Sequence, residues 1–192
     1  MMDDPIIILI GGAAGTAKTT IGKKLCHDLN INHRLGSGFI REMAKSYVPV
    51  EENPYLYNYS FQPHDDVTPF DNLYKQSEVI NESMEMCVQR AYNEGTSLLI
   101  EGVNVIPGLI STSNVSTAII FSVQNAKTHY DMVSGDTHSK RSISDADFKK
   151  IRDIQESFIE LAQTHQWHVV DVSQTEDITA HVQTLIKRDQ DK

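Results

Sequence analysis

The segment from residue 6 to residue 30 constrains the fold more strongly than any other part of the chain. Residues 6–10 are five consecutive aliphatic residues between Pro5 and a pair of glycines, a pattern typical of a strand buried on both faces. Residues 18–30 then place apolar side chains at helical spacing. A buried strand, a glycine-rich turn and a helix in direct succession predict the opening unit of an α/β fold.

The remainder of the 192-residue chain continues this alternation. Short apolar runs predict strands at residues 97–100, 118–123 and 167–172. Helical periodicity predicts helices at residues 39–47, 71–93, 145–165 and 176–188. Strands that alternate with helices indicate a parallel sheet with helices on both faces, here in one domain covering residues 1–192.

Two stretches interrupt the alternation. Residues 48–70 contain four prolines and several aromatic residues without a clean period. A long structureless loop inside a compact domain is often functional, so we interpret this stretch as an insertion on the substrate side. Residues 128–144 are polar and charged, and Ser144 at their end is predicted to cap the helix that follows.

The glycine-rich turn at residues 11–20 carries the pattern of a phosphate-binding loop. Small residues let the backbone curl around phosphate oxygens, and the N–H groups at the helix N-terminus face the anion. Lys18 is expected to reach the terminal phosphates and Thr19 to bind Mg²⁺, so the expected ligands of the loop are a nucleoside triphosphate and Mg²⁺. The predicted nucleotide-binding residues in this loop are Gly12, Ala13, Ala14, Gly15, Thr16, Ala17, Lys18, Thr19 and Thr20.

One position of the loop departs from the usual pattern. Ala17 stands directly before Lys18, where a second glycine is common. A methyl group adds little bulk, but it disfavours a positive φ. We therefore predict an ordinary backbone conformation for Ala17.

Glu101 comes directly after the predicted strand at residues 97–100. An acid at this point of such folds meets either the Mg²⁺ ion or the attacking hydroxyl group. Glu101 is therefore predicted either to bind Mg²⁺ together with Thr19 or to orient the acceptor.

With the phosphate-binding loop and Glu101 both identified, the chain resembles the kinase domain of the 2-phosphoglycerate kinase family. The resemblance follows the sequence in order, from residues 10–15 and the triplet Ile40-Arg41-Glu42 through the helix that contains Gln76. It continues in residues 90–95, in the Ile-Glu-Gly-Val…Pro-Gly segment at 100–108, and in the Ile-Arg-x-Ile-Gln pattern at 151–155. The last two motifs are more specific than the phosphate-binding loop, which indicates only a superfamily.

This resemblance implies a P-loop NTPase fold of the nucleoside and small-molecule kinase type. It implies transfer of the γ-phosphoryl group of ATP to a hydroxyl of a phosphorylated short carboxylic acid. It also implies a basic lid at about residues 128–144, in which Lys140 and Arg141 close over the nucleotide. The predicted catalytic residues are then Lys18, Glu101 and Arg141, and the partner is a small phosphorylated carboxylate.

The acceptor is less defined than the donor. The family commonly carries Ser-Thr-Asp before Ile-Arg and tends to have His where this chain has Asn104. A related branch phosphorylates the 5-hydroxyl of mevalonate 3-phosphate, which is a longer and more apolar acceptor. The absence of the family's Asp before Ile-Arg in this chain would suit such an acceptor. Both acceptors therefore stay open. The predicted substrate-binding residues are Arg41, Ser37, Gly38, Phe39 and Asn104.

Charge and composition limit the other classes of function. A formal net charge of -9 argues against binding to nucleic acid, which needs clustered Lys and Arg. The first residues lack the basic region of a signal peptide, and residues 6–10 are too few to span a bilayer, so we expect a cytoplasmic protein without membrane contact. The two cysteines are too few for a disulfide framework or a zinc cluster. The oligomeric state is not predicted.

A nucleotide-binding switch that hydrolyses ATP or GTP slowly is the alternative from another class. Such a protein is expected to carry a base-specificity motif such as Asn-Lys-x-Asp, and the sequence contains none. The eight histidines are scattered without a convincing metal-ligand spacing, and we interpret them as surface or packing residues.

Overall fold

Five parallel strands form a single sheet in the computed structural model, which describes residues 5–64, 67–135 and 143–190. The strands lie in the order β2-β3-β1-β4-β5, and every neighbouring pair is parallel. Their bounds are β1 (Ile7–Gly11), β2 (His33–Gly36), β3 (Leu98–Glu101), β4 (Thr117–Ser122) and β5 (His168–Asp171).

Helices connect most of the strands, and two of the longer ones begin at side-chain caps. The longest helix is capped by the Thr68 side chain, which accepts a hydrogen bond from the Asp71 N–H, and it ends at Gly95 in a left-handed conformation. Ser144 and Asp147 form a reciprocal capping box at the start of another, as the position of Ser144 predicted. The helices are α1 (Lys18–Asp28), α2 (Ser37–Ala44), α3 (Pro69–Glu94), α4 (Ala126–Ser134), α5 (Asp145–Thr164) and α6 (Ile178–Gln190).

The central strands bury both faces, which explains their continuous apolar sequences. In β1, Ile7 and Leu9 point into a core shared with α3 and α5, while Ile8 and Ile10 point into a core shared with α1 and α6. This alternation follows from the two-residue period of a strand. The predicted α/β fold with helices on both faces of a parallel sheet is confirmed.

Three local predictions need correction. The strand β2 was missed, because His33–Gly36 is half exposed at the edge of the sheet and has no apolar run. The helix α4 was missed because residues 128–144 are mostly polar and show no apolar period. Its buried residues are His129 and Val133. The insertion is not structureless, since it contains a 3-10 helix at Pro54–Tyr57 that buries Leu56 against the core.

The order of the strands places the phosphate-binding loop at the centre of the molecule. From β1 the chain winds to one side to form β2 and β3, and it then crosses to the other side to form β4 and β5. In open parallel sheets, ligands bind beyond the carboxyl ends of the strands at this change of direction. Across the described ranges, every helix is too short or too polar to span a bilayer.

Candidate active site

The phosphate-binding loop (residues 11–20) follows β1 and turns directly into α1. Gly15 has a φ of +77°, and a Cβ at this position would lie 2.2 Å from a methyl carbon of Val133 in α4. Both the backbone conformation and this close approach require glycine. The loop is therefore held against α4, with the first N–H groups of α1 at its centre.

The conformation of Ala17 contradicts the prediction made for it. Ala17 is the residue that precedes α1, and it has a φ of 55° and a ψ of 16°, in the left-handed region. An L-residue in this region costs about 1–2 kcal/mol relative to a right-handed conformation. The turn from the loop into α1 requires this conformation at position 17. The loop therefore keeps its conformation although the residue is alanine, and the strain lowers the stability of the protein.

Lys18 is buried at the mouth of the loop, with 8% of its surface exposed. Its ammonium group donates hydrogen bonds to the carbonyl oxygen of Ala13 and, at 3.2 Å, to the hydroxyl of Thr16. Burial lowers the pKa of Lys18 to about 8, and the negative charge of Glu101 partly opposes this effect. A cation so placed interacts strongly with an anion that enters the loop, because little water screens it.

Thr19 and Glu101 meet although 82 residues separate them in sequence. The Thr19 hydroxyl lies 3.0 Å from Glu101 Oε1 and 3.2 Å from Oε2. Glu101 is the last residue of β3 and only 4% exposed. The two side chains come together because α1 starts beside the carboxyl end of β3, next to β1 in the sheet.

The chemistry of this pair suits Mg²⁺. A hydroxyl and a carboxylate supply oxygen donors, which are the ligands that Mg²⁺ prefers, and substrate phosphates and water usually complete its coordination. Within the described ranges, no group of three or more His, Cys, Asp or Glu could hold a metal ion. Thr19 and Glu101 are thus two oxygen donors of the kind that Mg²⁺ takes.

Arg34 is a site residue that the sequence analysis missed. Its Nη1 donates a hydrogen bond to Glu101 Oε1 at 2.7 Å. The signal that could have found it is Glu101 itself, because a buried carboxylate needs a cationic partner. Arg34 lies in β2, which pairs with β3, but that strand was not predicted.

A cavity of about 430 Å³ opens beside the loop, between the ends of β2 and β3, the start of α2 and the insertion. Arg34, Tyr59 and Phe61 are among its lining residues. It also brings together nine of the predicted site residues: Ala14, Lys18, Thr19, Ser37, Gly38, Phe39, Arg41, Glu101 and Asn104.

The charge of this cavity differs from that of the whole chain. Lys18, Arg34 and Arg41 line it on the cationic side, and Glu42 and Glu101 on the acidic side. A chain with a net charge of -9 thus has a pocket in which cations outnumber acids. Such a local excess favours an anionic ligand, while the rest of the surface disfavours it.

Arg41 keeps unused hydrogen-bonding capacity at the edge of this cavity. Its Nη1 donates to the carbonyl oxygen of Asn58 at 3.2 Å, and its Nη2 donates to Glu42 Oε1 at 3.2 Å. The Asn58 oxygen also accepts a hydrogen bond from Gln76 Nε2 at 3.0 Å, so α2, the insertion and α3 meet at one atom. Arg41 Nε and Gln76 Oε1 are buried and find no hydrogen-bond partner among the described residues.

Ser37 and Asn104 form a buried network at the base of the cavity. The Ser37 hydroxyl donates to Asn104 Oδ1 at 3.3 Å, and Asn104 Nδ2 donates to the hydroxyl of Ser77 at 3.1 Å. Asn104 is fully buried. Gly102 permits this approach, because a Cβ there would lie 1.9 Å from the Ser37 oxygen. The network fixes the start of α2 against the end of β3.

His129 supports the loop from α4 and was not singled out by the sequence analysis. Its Nε2 lies 2.8 Å from the carbonyl oxygen of Ala14, and its Nδ1 lies 3.3 Å from Arg152 Nη1. A carbonyl only accepts and a guanidinium only donates, so the ring is the neutral tautomer with its proton on Nε2. Burial, above all, lowers the pKa of His129, which agrees with a neutral ring.

The predicted lid lies partly outside the described residues. Lys140 and Arg141 both fall in the range 136–142, which the structure does not describe. The described residues of the polar stretch belong mostly to α4, which packs against the phosphate-binding loop through Val133 and His129. The roles assigned to Lys140 and Arg141 stay predictions.

Comparison with known proteins identifies the relatives of this chain. No protein-family model matches it. A 2-phosphoglycerate kinase from Methanopyrus kandleri is 30% identical over 88% of this chain, and one from Pyrococcus furiosus is 26% identical over 87%. A third, from Methanococcus maripaludis, is 25% identical over 95%. The matched regions cover 56%, 59% and 65% of these relatives, so the chain spans little more than half of their length.

A solved structure gives the same fold. A shikimate kinase from Acinetobacter baumannii, in complex with shikimate, superposes with a TM-score of 0.60 over 100% of this chain and 97% of its own, at 15% identity. Similarity at this level of identity concerns the fold alone. The sequence relatives carry the name 2-phosphoglycerate kinase, and none of those compared specifically supports the mevalonate 3-phosphate branch. The chain has the fold of a P-loop kinase and is similar, over most of its length, to part of the archaeal 2-phosphoglycerate kinases.

Proposed function

We propose that this chain is an ATP-dependent kinase that transfers the γ-phosphoryl group to a hydroxyl of a small phosphorylated carboxylic acid, with 2-phosphoglycerate as the foremost candidate. The observation that carries the proposal is the contact of Thr19 with Glu101 beside the buried Lys18. It joins the phosphate-binding loop to a cavity with an excess of cations. A nucleotide held by the loop would present its terminal phosphate to that cavity.

In this proposal the donor is bound by the phosphate-binding loop. The N–H groups of residues 12–18 surround the β- and γ-phosphates, and Lys18 exchanges its contacts with Ala13 and Thr16 for phosphate oxygens. Magnesium, when bound, neutralises charge on these phosphates, and Thr19 and Glu101 are the residues that would hold it. His129 keeps the Ala14 carbonyl oxygen turned away from the anion.

The acceptor occupies the cavity between α2 and the insertion. Arg41 binds its phosphate or carboxylate through its terminal nitrogens, which would exchange their contacts with Asn58 and Glu42 for the anion. The acceptor hydroxyl oxygen forms a bond to the γ-phosphorus while the bond to the departing ADP oxygen breaks, and the hydroxyl proton is released to solvent. Glu101 either holds the magnesium ion together with Thr19 or orients that hydroxyl, and in both cases the enzyme acts chiefly through position and charge.

A coupled assay of ADP release tests the proposal. The chain is incubated with ATP and Mg²⁺ and with 2-phosphoglycerate, mevalonate 3-phosphate, mevalonate or a nucleoside monophosphate in turn. We expect release that depends on 2-phosphoglycerate and disappears in Lys18→Ala. Faster turnover with mevalonate 3-phosphate would move the acceptor to the related branch. Slow hydrolysis with no dependence on any acceptor would favour a nucleotide-binding switch and contradict the proposal.

A further inference from the structure

Arg34 reaches the site by an unusual route along the face of the sheet. It lies in the edge strand β2 opposite Leu99 of β3, and its side chain runs on the same face as Leu99 and Glu101. Gly22 of α1 faces this path, and a Cβ there would be in ordinary van der Waals contact with Glu101 Cγ at 3.6 Å and with Arg34 Cδ at 3.9 Å. The stem of Arg34 is thus held between α1 and the sheet while its guanidinium points to the end of β3.

The guanidinium occupies one defined side of the Glu101 carboxylate. Arg34 Nη1 lies 2.7 Å from Oε1, and the Thr19 hydroxyl lies across both carboxylate oxygens. Only 6% of the Glu101 side chain is exposed, against 29% of Arg34. A buried carboxylate with a charged hydrogen-bond partner is held in one orientation by that partner. Lys18 also acts on Glu101 through its charge, but its described hydrogen bonds go to the loop.

We propose that Arg34 is a positioning residue for phosphoryl transfer, which holds the Glu101 carboxylate against Thr19 and thereby fixes the reacting end of the acceptor cavity. This inference rests on the proposed function. Arg34 interacts with Glu101 in this proposal, and Arg41 binds the anionic group of the acceptor. Residues that hydrogen-bond to a catalytic or metal-binding group and fix its orientation often affect activity strongly when they are changed.

A double-mutant cycle provides the central test. Arg34→Gln is expected to lower kcat by about 10- to 100-fold with little change in the KM of the acceptor, a size typical for loss of an orienting partner. In the Glu101→Gln background, the same change is expected to lower kcat by less than about threefold, because nothing remains to be oriented. Arg34→Lys keeps the charge and is expected to restore kcat to within about fivefold of the wild type.

Two outcomes of the cycle would overturn the proposal. Equal losses from Arg34→Gln in both backgrounds would mean that Arg34 does not act through Glu101. A rise in the acceptor KM with an unchanged kcat would make Arg34 a second anchor for the acceptor. Arg90→Gln is the matched control, because Arg90 is an exposed arginine of α3 paired with Glu94 outside the cavity.

A binding measurement separates orientation from charge without using turnover. Calorimetric titration with ADP, in Mg²⁺ and in a chelator, gives the gain in affinity that Mg²⁺ provides. If Arg34 orients Glu101, this gain is expected to fall about tenfold in Arg34→Gln. If Arg34 merely adds positive charge beside the site, its removal would raise the gain in ADP affinity that Mg²⁺ provides. A gain in affinity that is larger than in the wild type, or unchanged, would therefore contradict the proposal.

The same measurements distinguish failure of this inference from failure of the proposed function. If the wild-type chain binds ADP with Mg²⁺ but transfers no phosphoryl group to any acceptor, the proposed function is wrong. The titrations of Arg34→Gln and Arg90→Gln then still decide whether Arg34 positions Glu101. If the wild type turns over and Arg34→Gln matches Arg90→Gln in every readout, only the inference about Arg34 is wrong.

Discussion

The proposed donor side and the proposed acceptor side of this site are built in opposite ways. The donor side consists of β1, the phosphate-binding loop and α1, which are contiguous in sequence, and its cation Lys18 is buried and hydrogen-bonded to the loop. The acceptor side is assembled from α2, the insertion and α3. It leaves Phe39 79% exposed and Arg41 Nε without a hydrogen-bond partner among the described residues.

This difference indicates which side is already organised for its ligand. Loops that bind phosphate through backbone N–H groups need a fixed backbone, and the packing of Gly15 on Val133 and the contact of Ala14 with His129 provide it. The acceptor side keeps buried polar atoms without hydrogen-bond partners among the described residues, and it exposes the apolar surface of Phe39, which an acceptor would cover. We therefore expect substitutions on the donor side to reduce kcat and substitutions on the acceptor side to raise KM.

The largest expected effect follows the loss of Lys18. Lys18→Ala is expected to lower kcat by about a thousandfold, because a buried cation that stabilises the developing charge on the phosphoryl group is removed. Kinetics with a saturating acceptor measure this loss. Lys23→Ala, which removes an exposed lysine of α1, is the matched control and should leave kcat within about twofold. Near-normal turnover of Lys18→Ala would break the assignment of the donor side.

Glu101 stands at the boundary between the two sides. Glu101→Gln keeps the shape of the side chain but removes its charge, and we expect kcat to fall by about a hundredfold. The fall is to be measured over a range of Mg²⁺ concentrations. Recovery at high Mg²⁺ would identify Glu101 mainly as a metal-binding group. A loss that is independent of Mg²⁺ would indicate that it orients the acceptor hydroxyl.

Arg41 tests the acceptor side. Arg41→Gln is expected to raise the acceptor KM by about 10- to 100-fold and to change the KM of ATP by less than about twofold, since a charged hydrogen bond to the acceptor is lost. Initial rates with each substrate varied in turn provide the measurement, with Arg90→Gln as control. The reverse pattern, a raised KM for ATP alone, would place Arg41 on the donor side.

The smallest expected effect concerns the backbone of the loop. Ala17→Gly relieves the left-handed strain, worth about 1 kcal/mol, but it also adds freedom to the unfolded chain, so the free energy of unfolding should rise by less than about 1 kcal/mol. Thermal unfolding is expected to show a melting temperature that is unchanged or up to about 3 °C higher. Ala14→Gly is the control, because Ala14 has no positive φ, and it should lower the melting temperature. An equal decrease of the melting temperature in both variants would contradict the inference that Ala17 is strained.

The sequence alone determined the fold class and the donor side. An apolar run, a glycine-rich turn and Lys18-Thr19 are local patterns, and a loop that binds phosphate through its own backbone needs no distant residue to be recognised. The same holds for most strands and helices, whose periods follow from burial of one or both faces. The prediction for Ala17 was wrong because the demand of the turn outweighed the preference of the residue.

Only the tertiary structure decided how residues that are distant in sequence meet around the site. The contact of Glu101 with Thr19 and Arg34 depends on the order of β2, β3 and β1 in the sheet, which no local pattern specifies. Arg34 was missed because an edge strand that is half exposed has no apolar signature. The supporting contact of His129 likewise depends on α4 packing on the loop, which follows from long-range packing rather than from the spacing of residues along the chain.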